Sequence, residues 1–234
     1  MIIFVSSRKT MNKLNAVIFD LDGTLLDNND FHLKSWKQYL KQIGMEISDE
    51  DYKANISGRT NKDATEHVFN KKMTNDEAEQ YYLEKEKIYR ELYATVIKPV
   101  NGLINLLTEL QQNGIKMAIA TSGILVNIDF MFDHVPIRHF FEQVINSTHI
   151  QNGKPDPEIF ITTAQKLQVD PENCIIFEDS IAGVEAANAA GMKVVALTTT
   201  HTSNELYDAD LVIDDYTQIS YSQLVAMLEK TLPS

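Results

Sequence analysis

The run Asp20-Leu21-Asp22-Gly23-Thr24 places two carboxylates two residues apart, directly after a short apolar segment that ends at Phe19. If that segment is a strand, both acids stand at the mouth of a sheet. Gly23 then lets the backbone turn tightly and approach a ligand closely. One acid of such a pair can serve as a nucleophile and the other as an acid–base group. Three later stretches offer complementary chemistry. Ala120-Thr121-Ser122-Gly123 supplies hydroxyls and backbone N–H groups, Lys154 a cation on a loop stiffened by Pro155 and Pro157, and Glu178-Asp179-Ser180 two more acids. Taken singly, each has a plainer reading: a helix cap for Thr121, Ser122, Asp179 or Ser180, and a solvated loop residue for Lys154. A cap leaves Glu178 beside Asp179 unexplained. Acids gathered on one rim cannot all ionise without compensation. A hard divalent cation supplies it, and an all-oxygen donor set suits Mg2+, which a phosphate dianion could join.

The elements that must position these residues follow from the pattern. Leu14–Phe19 reads as a buried strand. The next comparable run is Lys116–Ala120, almost a hundred residues later, far more than one crossover requires. The interval is helical in character: Phe31, Trp36, Tyr39, Leu40 and Ile43 recur at helical spacing before Gly44, and a second helical stretch covers Asn75 to Thr95. After Pro99, helices and strands alternate. Helices are expected over Leu103–Gln112, Leu125–Phe132, Pro157–Gln168, Ala182–Ala190 and Ser222–Leu232. Strands are expected over Gln143–Ile145, Cys174–Phe177, Lys193–Leu197 and Leu211–Ile213. The fold class is therefore α/β, a doubly wound parallel sheet with an inserted α-helical cap. Residues 1–27 and 97–234 form the core and 28–96 the cap. In such sheets ligands bind beyond the carboxyl ends of the strands.

Composition narrows the function. The 234 residues are 44% hydrophobic and 23% charged, with 21 Lys and Arg against 33 Asp and Glu, a net charge of −12. So acidic a chain repels nucleic acid and anionic lipid. A single cysteine, Cys174, allows neither an internal disulfide nor a Cys-rich zinc site, and it reads as a core residue. No apolar run reaches the ~18–20 residues of a membrane span, and the N-terminus lacks the shape of a secretory signal. A cytoplasmic monomer is expected. Met11 is a plausible natural start, with residues 1–10 as an upstream extension. His134 and His139 lack metal-spaced partners. Tyr81, Tyr82, Leu83, Ile88, Tyr89 and Leu92 are expected to pack the cap helices, and Ala186, Ala187, Ala189 and Ala190 to let a helix approach the sheet before Gly191 stops it.

The order Asp20-x-Asp22-Gly23-Thr24, Thr121-Ser122, Gly153-Lys154-Pro155, then Glu178-Asp179-Ser180 with Gly183 resembles the haloacid dehalogenase superfamily, with a Rossmann-like core. The match covers essentially the whole chain beyond residue 13. Asp27 to Trp36 resembles the β-phosphoglucomutase-like subgroup, where His32 and Trp36 fall on the first cap helix. The resemblance implies a phosphoric monoester hydrolase with Mg2+ as cofactor and a small phosphorylated substrate. Asp20 would attack phosphorus and become an aspartyl-phosphate. Asp22 would protonate the leaving oxygen and later take a proton from water, which leads us to expect a raised pKa. Asp20, the Asp22 main-chain carbonyl and Asp179 would hold the metal, with Glu178 supporting it through water or as a ligand. Thr121, Lys154 and backbone N–H groups would hold phosphoryl oxygens. Gly23, Thr24, Ser122 and Gly123 are expected beside the substrate, with His32, Arg59 and Asn61 contributed by the cap; Trp36 is expected to be packing.

A dehalogenase needs no acid at position 22, which favours phosphate chemistry. The mutase pattern has an Arg three residues after the cap-loop Gly58, where this chain has Asn61, and a Lys-Asn pair where it has Ile124-Leu125. Arg59 or Lys62 could substitute. A phosphatase acting on a sugar phosphate is therefore favoured over a β-phosphoglucomutase-type phosphomutase. A phospho-accepting receiver domain is a remote alternative, being about half this length and carrying its Asp on a middle strand. A non-catalytic binding protein is disfavoured because all four motifs are present. Cap closure would hinge near Leu26–Asn28 and Ile97–Pro99.

Overall fold

The computed structural model describes residues 13–229. Its central strand is β1 (Ala16–Phe19), four residues buried on both faces. That is why the segment reads as an unbroken apolar run. β1 is flanked by β2 (Lys116–Ala120) and β4 (Cys174–Glu178), with Ala16 level with both Lys116 and Cys174. β3 (Gln143–Ile145) lies outside β2, and β5 (Lys193–Leu197) then β6 (Leu211–Ile213) outside β4. All pairings are parallel, in the order β3-β2-β1-β4-β5-β6. The winding direction reverses between β1 and β4, so the crevice of the sheet opens beside the residues that follow these two strands.

Side-chain alternation divides the core into two layers. Val17 and Phe19 point to one face, with Met117, Ile175 and Phe177, under α5 (Leu103–Gln112), α6 (Leu125–His134) and α9 (Tyr221–Glu229). The Phe19 and Phe177 rings stack there at 5.1 Å. Ala16 and Ile18 point to the other face, under α7 (Glu158–Leu167) and α8 (Ile181–Ala189). Buried Ala186 and Ala187 bring α8 against the strands, and Cys174 is a core residue whose thiol burial pushes up to about 12.

Between β1 and β2 the chain forms four helices: α1 (Asn29–Gln42), α2 (Asp49–Asn55), α3 (Asn61–Phe69) and α4 (Asn75–Tyr93). They share an apolar cluster of their own, built from Trp36, Tyr39, Leu40, Tyr52, Ile56, Ala64 and Ile88. The short α2 and α3 are absent from the sequence reading. Their signal was present in their caps, since Ser48 and Thr60 accept hydrogen bonds from the backbone N–H of Asp51 and Asp63. The aromatic expectation for α4 needs correction. Leu83 is exposed, while Tyr89 and Tyr93 join the core cluster beneath the sheet rather than the cap cluster. The two linkers run side by side: Leu26 bridges Pro99, and Val100 N–H donates to the carbonyl of Leu25 at 3.0 Å.

The other boundaries differ by one or two residues from expectation. The proposed extension over residues 1–10, the start at Met11 and the end of the last helix lie outside the described residues. Among the described residues, no helix is long and apolar enough to cross a membrane.

Candidate active site

The end of β1 carries Asp20, whose N–H donates to the carbonyl of Phe177 on β4. Lys154 reaches it from the loop before α7. Its Nζ lies 2.6 Å from Asp20 Oδ1, 2.5 Å from Glu178 Oε1 and 3.4 Å from the carbonyl oxygen of Ala120. Lys154 is only 1% exposed. Burial alone would favour the neutral amine, but the charges of Asp20 and Glu178 raise its pKa above the ordinary value. Burial pushes the Asp20 carboxyl up to about 7, assisted by Glu178 and Asp22 and opposed by Lys154.

Glu178 turns back under α8. Its Oε2 accepts from the N–H groups of Asp179 and Ser180, both at 2.8 Å, and from the Ser180 hydroxyl at 2.9 Å. A Cβ on Gly183 would stand 1.9 Å from this carboxyl group, so α8 can begin here only with glycine. Both Glu178 oxygens thus have partners within the protein, and Oε1 holds Lys154. Ser180 does cap α8, accepting from Gly183 N–H at 3.1 Å.

Asp179 is buried beside it. Its Oδ1 accepts from the Thr24 hydroxyl at 3.3 Å, and its Oδ2 from Asn29 Nδ2 at 3.0 Å and from the Thr200 hydroxyl. Burial, with the charges of Glu178 and Asp20, pushes its pKa well above the ordinary carboxylate value. Thr24 and Gly23, expected beside the substrate, lie against Asp179. Thr24 is fully buried on Asp179, and Gly23, at φ +79°, gives its N–H to Leu26 O and Asn28 Oδ1.

Asp22 is held from the cap side. Asn28 Nδ2 donates to its Oδ1 at 2.6 Å, and His32 Nε2 lies 3.3 Å from the same oxygen. The His32 ring stacks on Tyr89 at 3.8 Å, and Lys85 Nζ lies 2.8 Å from Nδ1. With Lys85 donating to Nδ1, the ring proton falls on Nε2, toward Asp22. Burial favours the neutral Asp22, but His32, the Asn28 hydrogen bond and the Lys85 charge together outweigh it and lower the pKa. The expected raised pKa is therefore corrected, because helices α1 and α4 bring His32 and Lys85, with Asn28, around this acid.

The same chain of contacts ties cap to core. Lys85 donates to Glu86 Oε1 at 2.9 Å, Asn127 on α6 donates to Glu86 Oε2 at 2.7 Å, and Arg90 donates to Asn127 Oδ1 at 2.7 Å. Two further links join the cap loop to the core. The Ser122 hydroxyl donates to Gly58 O at 3.0 Å, and Arg59 donates to Lys154 O at 3.2 Å. Gly123 gives its N–H to the Thr121 hydroxyl at 2.9 Å. Asn28, Asn29, Tyr52, Lys85, Glu86, Asn127 and Thr200 were missed in sequence. Asn28 and Asn29 left a trace, as an unusual pair of amides where the first cap helix begins.

Asp20, Asp22, His32, Trp36, Arg59, Asn61, Thr121, Ser122 and Gly123 line one cavity of about 60 Å3 beneath the cap. Water needs roughly 10–15 Å3 by the same kind of measure, so the space suits a phosphate-sized group and not a whole sugar phosphate. Ser57 also lines it, and its buried hydroxyl has no hydrogen-bond partner among the described residues. Trp36 belongs to the cap cluster as well, so it both packs the cap and walls the cavity.

The haloacid dehalogenase-like hydrolase family model matches residues 17–197 of this chain. A β-phosphoglucomutase of Bacillus subtilis (strain 168) is 30% identical over 207 residues, covering 86% of this chain and 89% of that protein. A validoxylamine A 7'-phosphate phosphatase of Streptomyces hygroscopicus subsp. limoneus is 29% identical over 217 residues, covering 89% of this chain and 97% of that protein. Among solved structures, a HAD hydrolase of family IA, variant 3, from Entamoeba histolytica superposes with a TM-score of 0.83 at 33% identity, covering 92% of this chain and 100% of that one.

Proposed function

Since the chain belongs to the haloacid dehalogenase-like hydrolases, we propose that it is a Mg2+-dependent phosphatase that hydrolyses a small sugar phosphate through an aspartyl-phosphate on Asp20. The enzyme class is that of its relatives, phosphoric monoester hydrolases and a phosphomutase. The family match displaces the receiver alternative, because it extends over residues 17–197, far beyond a receiver's length. One observation carries the reading: Asp20, in contact with Lys154, shares a phosphate-sized cavity with Asp22 and Thr121.

An Asp20 carboxylate oxygen attacks phosphorus, and the P–O bond to the leaving group breaks as the Asp20–phosphorus bond forms. Asp22 gives its proton to the departing oxygen, then takes one from the water that cleaves the acyl phosphate. The lowered pKa of Asp22 favours the second role; an incoming phosphate dianion opposes that lowering and favours the first. Lys154 and Thr121 hold the transferring oxygens, preorganised charge being the main resource of phosphoryl transfer.

The donor set fits the expected cation. Asp20, Glu178 and Asp179 are buried with one lysine among them, so all three cannot ionise without a further cation. Among the described residues no three His, Cys, Asp or Glu side chains converge as a metal cage. A cation here would rest on the Asp20 and Asp179 carboxylates, the Asp22 carbonyl and water, as a sparsely ligated Mg2+ does. Bound there, Mg2+ would neutralise the surplus charge and polarise the phosphoryl group.

Hydrolysis is favoured over mutase chemistry because a second phosphate needs a free cation. In this cavity Lys85 is matched by Glu86 and Asn61 is neutral; Arg59 keeps its charge while giving one N–H to Lys154 O, and is the residue on which mutase chemistry would have to rely. Residues 28–96 act as a cap that lifts about the paired linkers to admit substrate. The test is a panel of sugar phosphates, nucleotides, pyrophosphate and β-glucose 1-phosphate, assayed with Mg2+ and with chelator. Mg2+-dependent phosphate release from several sugar phosphates is expected. Glucose 6-phosphate formed without phosphate release would establish the mutase instead.

A further inference from the structure

We propose that Asn29 is a positioning residue that couples the placement of cap helix α2 to cation binding at Asp179. The inference rests on the reading of Asp179 as a Mg2+ ligand given above. Asn29 is the first residue of α1 and is buried. Its Nδ2 lies 3.0 Å from Asp179 Oδ2 and 2.6 Å from the Thr200 hydroxyl, and its Oδ1 accepts from the Tyr52 hydroxyl on α2 at 3.1 Å. An ionised Asp179 can only accept, so it draws the amide nitrogen toward itself and leaves Oδ1 to accept from the Tyr52 hydroxyl, which ties this orientation to α2. With Oδ1 taken by Tyr52, both N–H bonds of Asn29 are directed at the Asp179 side.

Among the described residues, three side chains hold the Asp179 carboxylate, and they differ in origin. Thr24 and Thr200 come from loops of the sheet, and Asn29 alone from the cap. Gly23 keeps this junction open: a Cβ there would stand 2.0 Å from Asp179 Oδ2 and 2.4 Å from Asn29 Nδ2. A shift of α2 relative to α1 therefore alters the Tyr52–Asn29 bond, and through it the direction of the Asp179 lone pairs. Coupling of this kind is reciprocal, so a cation at Asp179 also favours the cap arrangement seen here.

The test is Mg2+ binding to the full chain without substrate, by titration calorimetry. The fluorescence of Trp36, the single tryptophan, is followed in parallel. Outer partners of metal ligands typically contribute ~10–100-fold to affinity. Asn29→Ala is expected to weaken Mg2+ binding ~10-fold, and Tyr52→Phe several-fold in the same direction. The double variant should match Asn29→Ala alone, because both act along one path. Thr24→Val, which removes the sheet-side bond to the other Asp179 oxygen, should combine additively with Tyr52→Phe. If Asn29→Ala fails to fold, that second pair still decides. Wild-type affinity in Tyr52→Phe, or additivity of Tyr52→Phe with Asn29→Ala, would overturn the coupling alone. Absence of Mg2+ binding by the wild-type chain would overturn it together with the proposed function.

Discussion

Lys154 Nζ stands between Asp20 Oδ1 at 2.6 Å and Glu178 Oε1 at 2.5 Å, one buried cation joining the ends of the two strands at which the sheet reverses. The arrangement does two things. It keeps Asp20 from neutralising completely on burial, and it fixes the ammonium beside the oxygen proposed to attack phosphorus. Lys154→Met leaves three buried carboxylates with no cation among them. Turnover of a sugar phosphate should fall at least ~100-fold, the usual scale for losing one preorganised donor. The fold should lose about 3–5 kcal/mol, as when one partner of a buried pair is removed. Thermal denaturation with and without Mg2+ checks the second point: added Mg2+ should recover more stability in the variant than in the wild type. Equal gains would mean that Lys154 and the cation do not share the same negative charge.

The two aspartates should fail differently. Asp20→Asn removes the attacking oxygen and should abolish both turnover and covalent labelling. Asp22→Asn retains the nucleophile but cannot pass a proton, so it should slow leaving-group departure and intermediate hydrolysis. Phosphoenzyme detection by mass spectrometry after rapid quench separates the cases. A covalent phosphate on the Asp20→Asn variant, or full activity in either, contradicts the assignment.

The Asn127–Glu86 contact joins α6 of the core to α4 of the cap. Asn127→Leu leaves Glu86 Oε2 and Arg90 without their shared partner. Stranding such groups costs about 1–3 kcal/mol, but only where the cap is closed on the core. A drop in kcat/KM of ~5–100-fold is therefore expected, with little change in Tm. Steady-state kinetics beside a melting curve test this. A large fall in Tm with unchanged kcat/KM would make the contact a structural one.

Much of the frame was legible in the sequence because it rests on local pattern. β2, β3, β5, β6 and α5 fall where their apolar runs and flanking turns placed them. Asp20, Asp22, Thr121, Glu178 and Asp179 could be assigned to the rim because each follows an apolar run, whereas Lys154 lies on a polar loop nine residues past the end of β3. Strand order was not legible, since nothing local tells β1 that β4 will be its neighbour. The cap side was harder still. Lys85, Glu86 and Arg90 sit in a helix rich in charge, where such residues ordinarily form a solvated face. Only the packing of α4 on α1 and α6 buries Lys85 and Glu86 and partly covers Arg90. The pKa of Asp22 was misjudged for the same reason: its direction depends on His32 and Lys85, brought there by helices far along the chain.

The cap also carries a pH-dependent element of its own. Glu66 on α3 accepts from Lys72 at 2.7 Å and from Met73 N–H at 2.9 Å, and lies 3.2 Å from Lys62. These bonds, Lys72 first and Met73 next, hold its pKa down to about 2 against a small opposing effect of burial; the ordinary value is 4.5. Between these two values the unfolded chain binds more protons at this site than the folded one, so stability rises with pH across the window. The contribution is complete above pH 4.5 and is lost as pH falls toward about 2. Other carboxylates titrate in the same range, so the informative quantity is the difference from Glu66→Gln, which keeps the shape and loses the charge. The Tm gap between wild type and variant should be widest near pH 7 and narrow steadily as pH falls below 4.5. Lys72 is almost fully exposed, so salt should shrink the part of the gap due to that pair, while the bond from the buried Met73 N–H persists. A gap independent of pH would show that the Glu66 carboxylate does not hold the turn between α3 and α4.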